Sequence, residues 1–250
     1  MTETARPPEN WVNYLTVLDD QPAMISVDAG WIGALGHGDA ETLLVLEVAQ
    51  KHSARGEIVA RAELPALQEL AEAIREALPG DYAHLVARSY GGGKMALYIY
   101  TPHPDDILAL VDEALEDSDY DHASHERQDS DWSYYRDVLY PDEVVWQNIS
   151  NADLLEKLRA HGDDGTTPRR IDHRALFADR MLAGDFAARM GEIGHEIEAF
   201  TDHDDPELPV AVEFWREDAP AELNPLTEAV IRITAEYGGR YDGWGTMVVA

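Results

Sequence analysis

The chain has 250 residues, no cysteine, and 49 acidic against 19 basic side chains, a formal net charge of −30. The missing cysteines exclude disulfides, thiolate zinc sites, iron–sulfur clusters and cysteine nucleophiles. A negative charge of this size repels a phosphate backbone, which argues against direct nucleic-acid binding.

No segment approaches the roughly 20 consecutive apolar residues that span a bilayer, and the opening MTETARPPEN lacks the basic start and apolar stretch of a signal peptide. The expectation is a soluble protein that stays in the cytoplasm. A chain of this length favours two domains over one.

In chain order, Ala23 to Val27 and Leu43 to Val48 are short, partly β-branched apolar runs that read as strands, separated by a stretch bearing Gly30, Gly36 and Gly38. Leu64, Leu67, Leu70, Ala71, Ile74 and Leu78 recur every three or four positions between Pro65 and Pro79-Gly80, which predicts a helix over 64–78. His84 to Tyr90 and Met95 to Tyr100 flank Gly91-Gly92-Gly93-Lys94 and read as a hairpin. Pro104-Asp105-Asp106 opens a second helix, its acids suited to the positive end of the helix dipole. A strand is expected near Tyr120 to Glu126.

In the second half, Asn151 is read as the cap of a helix carrying Leu154, Leu155 and Leu158 that stops at Gly162. A strand at 170–177, a helix near 180–192, strands at 195–201 and 210–215, a helix near 221–237 and a strand at 240–249 follow. From Leu43 onward, and again in the second half, the order is strand, helix, strand, strand, helix, strand. The predicted fold class is therefore α+β, with two ferredoxin-like (split βαβ) domains in tandem.

The expected layout is an N-terminal domain over 1–128, a connector over 129–150 and a second domain over 151–250. The connector is rich in aromatics, including Trp132, Tyr134, Tyr135, Tyr140 and Trp146, and is expected to pack between the domains.

Three segments of the second half, HGDD at 161–164, PRRIDH at 168–173 followed by Phe177, and GGRYDGWGT at 238–246, resemble in order and spacing the family of regulators of ribonuclease E activity, type B. The resemblance implies a ferredoxin-like fold and an acidic protein that binds the endoribonuclease and lowers its activity, with no catalytic residues to carry over. The first half, with its Trp11 to Tyr14 opening and DSDWSYYRDVLYPDE at 129–143, looks like the uncharacterised domain that often precedes this one in bacterial proteins.

The expected function is thus a protein-binding regulator, not an enzyme, with no cofactor, no metal, and a protein partner that the resemblance makes a ribonuclease. In Tyr241-Asp242-Gly243-Trp244-Gly245 the two glycines suggest a bulge, and alternation along the strand groups Asp242 with Trp244, with Trp215 on a neighbouring strand expected to face the same way. Trp and Tyr are favoured interface anchors. Trp215, Tyr241, Asp242 and Trp244, with the acidic Asp163 and Asp164, are the expected partner-binding set.

Two rival readings remain at this point. His161, Asp164 and His173 could ligate a divalent ion in a metal-dependent hydrolase, although alternation puts His173 on an apolar strand face, where a histidine is more often a core residue. Free strand edges could alternatively make a self-association module. Gly91-Gly92-Gly93-Lys94 lacks the spacing and the following helix of a phosphate-binding loop.

Overall fold

The structure is a computed structural model and describes residues 6–36, 39–52, 57–116 and 118–249. Gly38 and Asp117, which belong to segments discussed above, lie outside the described residues, as do residues 1–5 and 250. The chain divides into two compact units, Met1–Tyr140 and Pro141–Ala250, each with its own sheet, so the architecture is α+β.

The first unit contains β1 (Trp11–Leu18), β2 (Gln21–Asp28), β3 (Thr42–Ala49), α1 (Leu64–Ala77), β4 (His84–Gly91), β5 (Lys94–Thr101), α2 (Pro104–Leu115) and β6 (His122–Gln128). Its strands lie in the order β1-β2-β4-β5-β3-β6, every neighbouring pair antiparallel. Strand side chains alternate between faces. Leu44, Leu46 and Val48 of β3 accordingly join Leu97 and Ile99 of β5 in one core with Leu67, Ala71 and Ile74 of α1 and Ile107, Val111 and Leu115 of α2.

Two strands depart from expectation. β1 has no counterpart among the expected strands: Leu15 and Val17, two of its four aliphatic residues, lie in solvent, 70% and 68% exposed, and no core-facing pattern stands out. It is held by an eight-residue ladder to β2. The turn between them runs through Asp19 and Asp20, both left-handed at φ 51° and 60°, as a two-residue hairpin loop requires; glycine or asparagine would have advertised it. β6 starts at His122, two residues later than predicted, and all seven of its side chains are exposed. Its position is set by pairing with β3.

The unit boundary falls inside the segment expected to connect the domains. Residues up to Tyr140 pack within the first unit: Trp132, at 0% exposure, lies flat on Tyr100 with ring centroids 4.0 Å apart and donates its indole N–H to the Ala40 carbonyl at 2.8 Å. The Tyr135 hydroxyl donates to the Asp28 carbonyl at 2.8 Å, and the Tyr14 hydroxyl to that of Leu139 at 2.7 Å. A length of chain this aromatic loses its apolar area to water unless it lies on a sheet, which is why it belongs to a core.

The second unit contains α3 (Glu143–Ala160), β7 (Arg169–Phe177), α4 (Arg180–Glu192), β8 (Glu196–Asp202), β9 (Val210–Asp218), α5 (Leu223–Glu236) and β10 (Arg240–Thr246). The sheet order is β10-β7-β9-β8, again antiparallel throughout. Phe177, Phe186, Met190, Val212, Phe214, Val230 and Tyr241 form its core. Gly239 is required here, since a Cβ would come within 2.3 Å of the Phe177 ring.

Asn151 is not a helix cap. α3 begins two turns earlier, where the Asp142 carboxylate accepts the Val145 amide at 2.8 Å. Asn151 is instead 1% exposed in mid-helix and donates to the Thr227 hydroxyl at 3.0 Å and to Asn224 at 2.9 Å, joining α3 to α5.

Candidate functional site

β7 is the axis of the candidate site, and its alternation divides the second unit. Ile171, His173, Ala175 and Phe177 point into the core, whereas Arg170, Asp172 and Arg174 are exposed. In register with these outward residues lie Trp215 and Glu213 of β9, paired with Asp172 and Arg174, and Gly243 and Gly245 of β10, paired with Arg174 and Asp172. The two glycines carry no side chain to stand over β7, and a concavity of about 420 Å³ opens there.

Two guanidiniums organise the surface. Arg170 donates to Asp172 at 2.6 Å and to Glu198, with its guanidinium 4.9 Å from the centre of the Trp215 ring. Arg174 pairs with Asp242. All of these pairs are at least partly exposed, so they fix side-chain orientation and add little stability. Asp172, Glu198, Glu213 and Asp242 outnumber the two arginines around the concavity, leaving it net negative.

The sequence-predicted set is only partly brought together. A bulge between Tyr241 and Gly243 breaks the alternation of β10. It turns Trp244 to the helix side, opposite His173, where its indole donates to Asn151 Oδ1 at 2.6 Å. Trp244 and Trp215 thus lie on opposite faces, correcting the expectation that they share one. Tyr241 is 6% exposed, its hydroxyl hydrogen-bonded to His173 Nδ1 at 2.7 Å. Trp215 and Asp242 remain accessible.

Asp163 was expected on the partner surface and is 2% exposed. Its carboxylate accepts the amides of Val249 and Gly165, both at 2.9 Å, and the Arg169 guanidinium at 2.7 and 3.2 Å. These contacts, the Val249 amide foremost, hold its carboxyl below the usual range. Arg169 also donates to the Thr246 hydroxyl at 3.2 Å. The HGDD, PRRIDH and GGRYDGWGT segments therefore meet through Asp163, Arg169 and Thr246, and the last two again through His173 and Tyr241, so much of what they encode is architecture. Asp164 is exposed and ties its own turn by accepting the Thr166 amide and hydroxyl.

The metal reading fails on geometry. His161 turns back onto the Lys157 carbonyl, 2.7 Å from its Nδ1, while His173 is buried against Phe214, with ring centroids 5.3 Å apart. Among the described residues no three His, Cys, Asp or Glu side chains converge on a possible ion site. Burial and the neighbouring His195 push the His173 imidazole down to about 3; burial and Arg216 push His195 down to about 4. Both rings are neutral near pH 7.

Arg170, Arg174, Glu198 and Glu213 were not anticipated. Alternation from Ile171 would have placed the arginines, but the glutamates become neighbours only through strand pairing.

The second unit is thus an α+β domain, an antiparallel sheet with its core on one side and an acidic concavity beside Trp215 on the other. Residues 9–140 match the family described as "Family of unknown function (DUF695)", and the chain belongs to that family. Residues 148–246 match the family described as "Regulator of ribonuclease activity B". No curated protein matches the chain. Solved structures similar to it include a candidate glycine cleavage system transcriptional repressor, 9% identical with a TM-score of 0.23 over 82% of this chain and 98% of that one. Another is an unknown protein from Galdieria sulphuraria, 11% identical with a TM-score of 0.22 over 82% and 99%. At such scores neither carries an argument. No helix among the described residues is long and apolar enough to cross a membrane.

Proposed function

We propose that this protein is a cytoplasmic, non-catalytic regulator that binds a ribonuclease, in the manner the resemblance implies for endoribonuclease E, and lowers its activity. The observation that carries the reading is the match of residues 148–246 to the regulator family. The proposed contact is the outward face of β7, β9 and β10, with Trp215 as the aromatic anchor and Asp172, Glu198, Glu213, Asp242 and the nearby loop residue Asp164 as the acidic complement to a basic segment of the partner. Tyr241, Trp244 and Asp163 serve the unit's internal structure.

The strand orders β4-β5-β3-β6 and β10-β7-β9-β8, each on a strand, helix, strand, strand, helix, strand succession, support the ferredoxin-like reading for both units. In this view the β1–β2 hairpin extends the first sheet, and residues 129–140 belong to the N-terminal domain.

The test is a calorimetric titration of the full chain with endoribonuclease E at low and high salt, alongside a ribonuclease assay. Binding should weaken as salt rises, and Trp215→Ala should weaken it by about tenfold or more while the fold is retained. Equal affinity of wild type and Trp215→Ala would remove this face from the interface, and failure of the wild-type chain to bind or inhibit would end the regulator reading.

A further inference from the structure

The first unit has a second concavity, of about 240 Å³, on the sheet face away from α1 and α2. Alternation places Glu47 of β3 and Ser89 of β4 on this face in one cross-strand row with Ala96, while Tyr98 of β5 stands in the next row. The pocket floor is polar and organised: the Ser89 and Tyr98 hydroxyls lie 3.1 Å apart, and Lys94 donates to Glu47. Tyr134 forms a wall, its ring stacked on that of Tyr98 with centroids 5.8 Å apart, and is steadied from behind by the Arg127 guanidinium 5.1 Å from its centre. The turn between β1 and β2 brings Asp19 to the rim.

The chemistry of these groups selects a class of ligand. Glu47 is taken up by Lys94, whereas Asp19 forms no ion pair among the described residues; it stands close enough to Tyr98 and Tyr134 for its charge to oppose their ionisation. With Lys94 on Glu47 and Arg127 over Tyr134, Asp19 is the lining carboxylate that remains for a cationic ligand. A metal ion is a poor occupant, since no three His, Cys, Asp or Glu side chains converge among the described residues. An organic cation suits the walls, because an ammonium group takes hydrogen bonds from its N–H groups to carboxylate and hydroxyl oxygens and is attracted to the faces of tyrosine rings. At roughly 30 Å³ for each water-sized atom, the volume holds on the order of eight non-hydrogen atoms.

We propose that the first unit binds a small organic amine in this pocket, its ammonium seated between Asp19 and the Tyr98–Tyr134 pair. The proposal concerns the unit that carries no function through its family and is independent of ribonuclease binding by the other.

The test is isothermal titration of the full chain with putrescine, with 1,4-butanediol and succinate as neutral and anionic analogues of similar length, all at matched ionic strength. Putrescine should bind saturably at one site while the two analogues give no saturable signal. Asp19→Asn, which keeps the shape and is better tolerated at positive φ, should weaken putrescine by about tenfold or more, the order expected for loss of one partly screened charge contact. Tyr134→Leu should do likewise, with circular dichroism confirming that both variants are folded. Putrescine heats equal to those of sodium chloride, or affinity unchanged in both variants, would overturn the proposal, as would equal binding of 1,4-butanediol.

Discussion

The sheets of the two units share a succession of strands and helices and differ in what lies on the face away from the helices. In the first unit that face is roofed at one end by Trp31, Trp132, Tyr135 and Leu139, all at 0% exposure, leaving a pocket at the other end. In the second unit the corresponding face carries Arg170, Asp172, Arg174 and Asp242, which are exposed, and a shallow concavity. The comparison teaches that a sheet built from the same order of elements becomes a container or a platform according to what is added to it: residues 129–140, packed with Trp31, supply the roof in the first unit, and the outward face of the second unit carries no such segment.

Removing the roof should have the largest effect. Trp132→Ala deletes a fully buried indole stacked on Tyr100 and its hydrogen bond to Ala40, and is expected to destabilise the first unit by about 3–5 kcal/mol, read as a lower urea midpoint in near-ultraviolet circular dichroism. Asp129 holds the same roof down. Burial alone would raise its carboxyl, yet hydrogen bonds from Ser133, Tyr100 and the Tyr134 amide hold it below the ordinary range.

The second unit should break from its helix side. Asn151→Ala removes the buried side chain that meets Thr227, Asn224 and Trp244, at a cost of about 1–3 kcal/mol. A lower urea midpoint in far-ultraviolet circular dichroism would report it.

Acid should separate the two units as well. His173 and His195 meet edge to face at 5.9 Å in the core of the second unit, with Arg216 and Asp218 nearby. Their folded-state values of about 3 and about 4 lie below the ordinary 6.5, so the unfolded chain takes up protons in a range where the native unit does not. Stability contributed by neutral histidine is therefore present above pH 6.5 and declines as pH falls from there toward 4. His173→Phe should flatten this limb in melting temperatures measured across the range; an unchanged slope would show that other groups govern it.

The smallest effect on stability, under about 0.5 kcal/mol, is expected for Trp215→Ala on the outward face. That variant should melt like the wild type and fail in ribonuclease binding. A large loss of stability would mean that Trp215 is structural and would sharpen the comparison against the platform reading.

Much of the architecture was legible because periodicity is local. The helices at 64–77, 104–115 and 180–192 each show apolar residues every three or four positions or clear start and stop residues, and the strands at 43–48, 170–177 and 210–215 are apolar where they face a core. What was illegible has physical reasons. β1 keeps two of its four aliphatic residues in solvent, β6 buries nothing, and both exist because a neighbouring strand offers unpaired backbone groups. At Asn151 a residue type that usually caps a helix sits inside one, because polar partners on α5 and β10, the buried Thr227 among them, await it.

The candidate site divides in the same way. Sequence alone determined the acidity, the α+β order of elements, and the aromatic supply, since charge and hydrophobic period are properties of the chain itself. Which tryptophan faces out was decided by tertiary structure: one bulge between Tyr241 and Gly243 moves Trp244 across the sheet, because a strand has period two and a single inserted residue exchanges its faces. Strand pairing also decided that Arg170 should lie over Trp215 and that Asp19, Glu47 and Tyr98, distant in sequence, should line one pocket, since contacts between strands depend on sheet order and register, which no local pattern encodes.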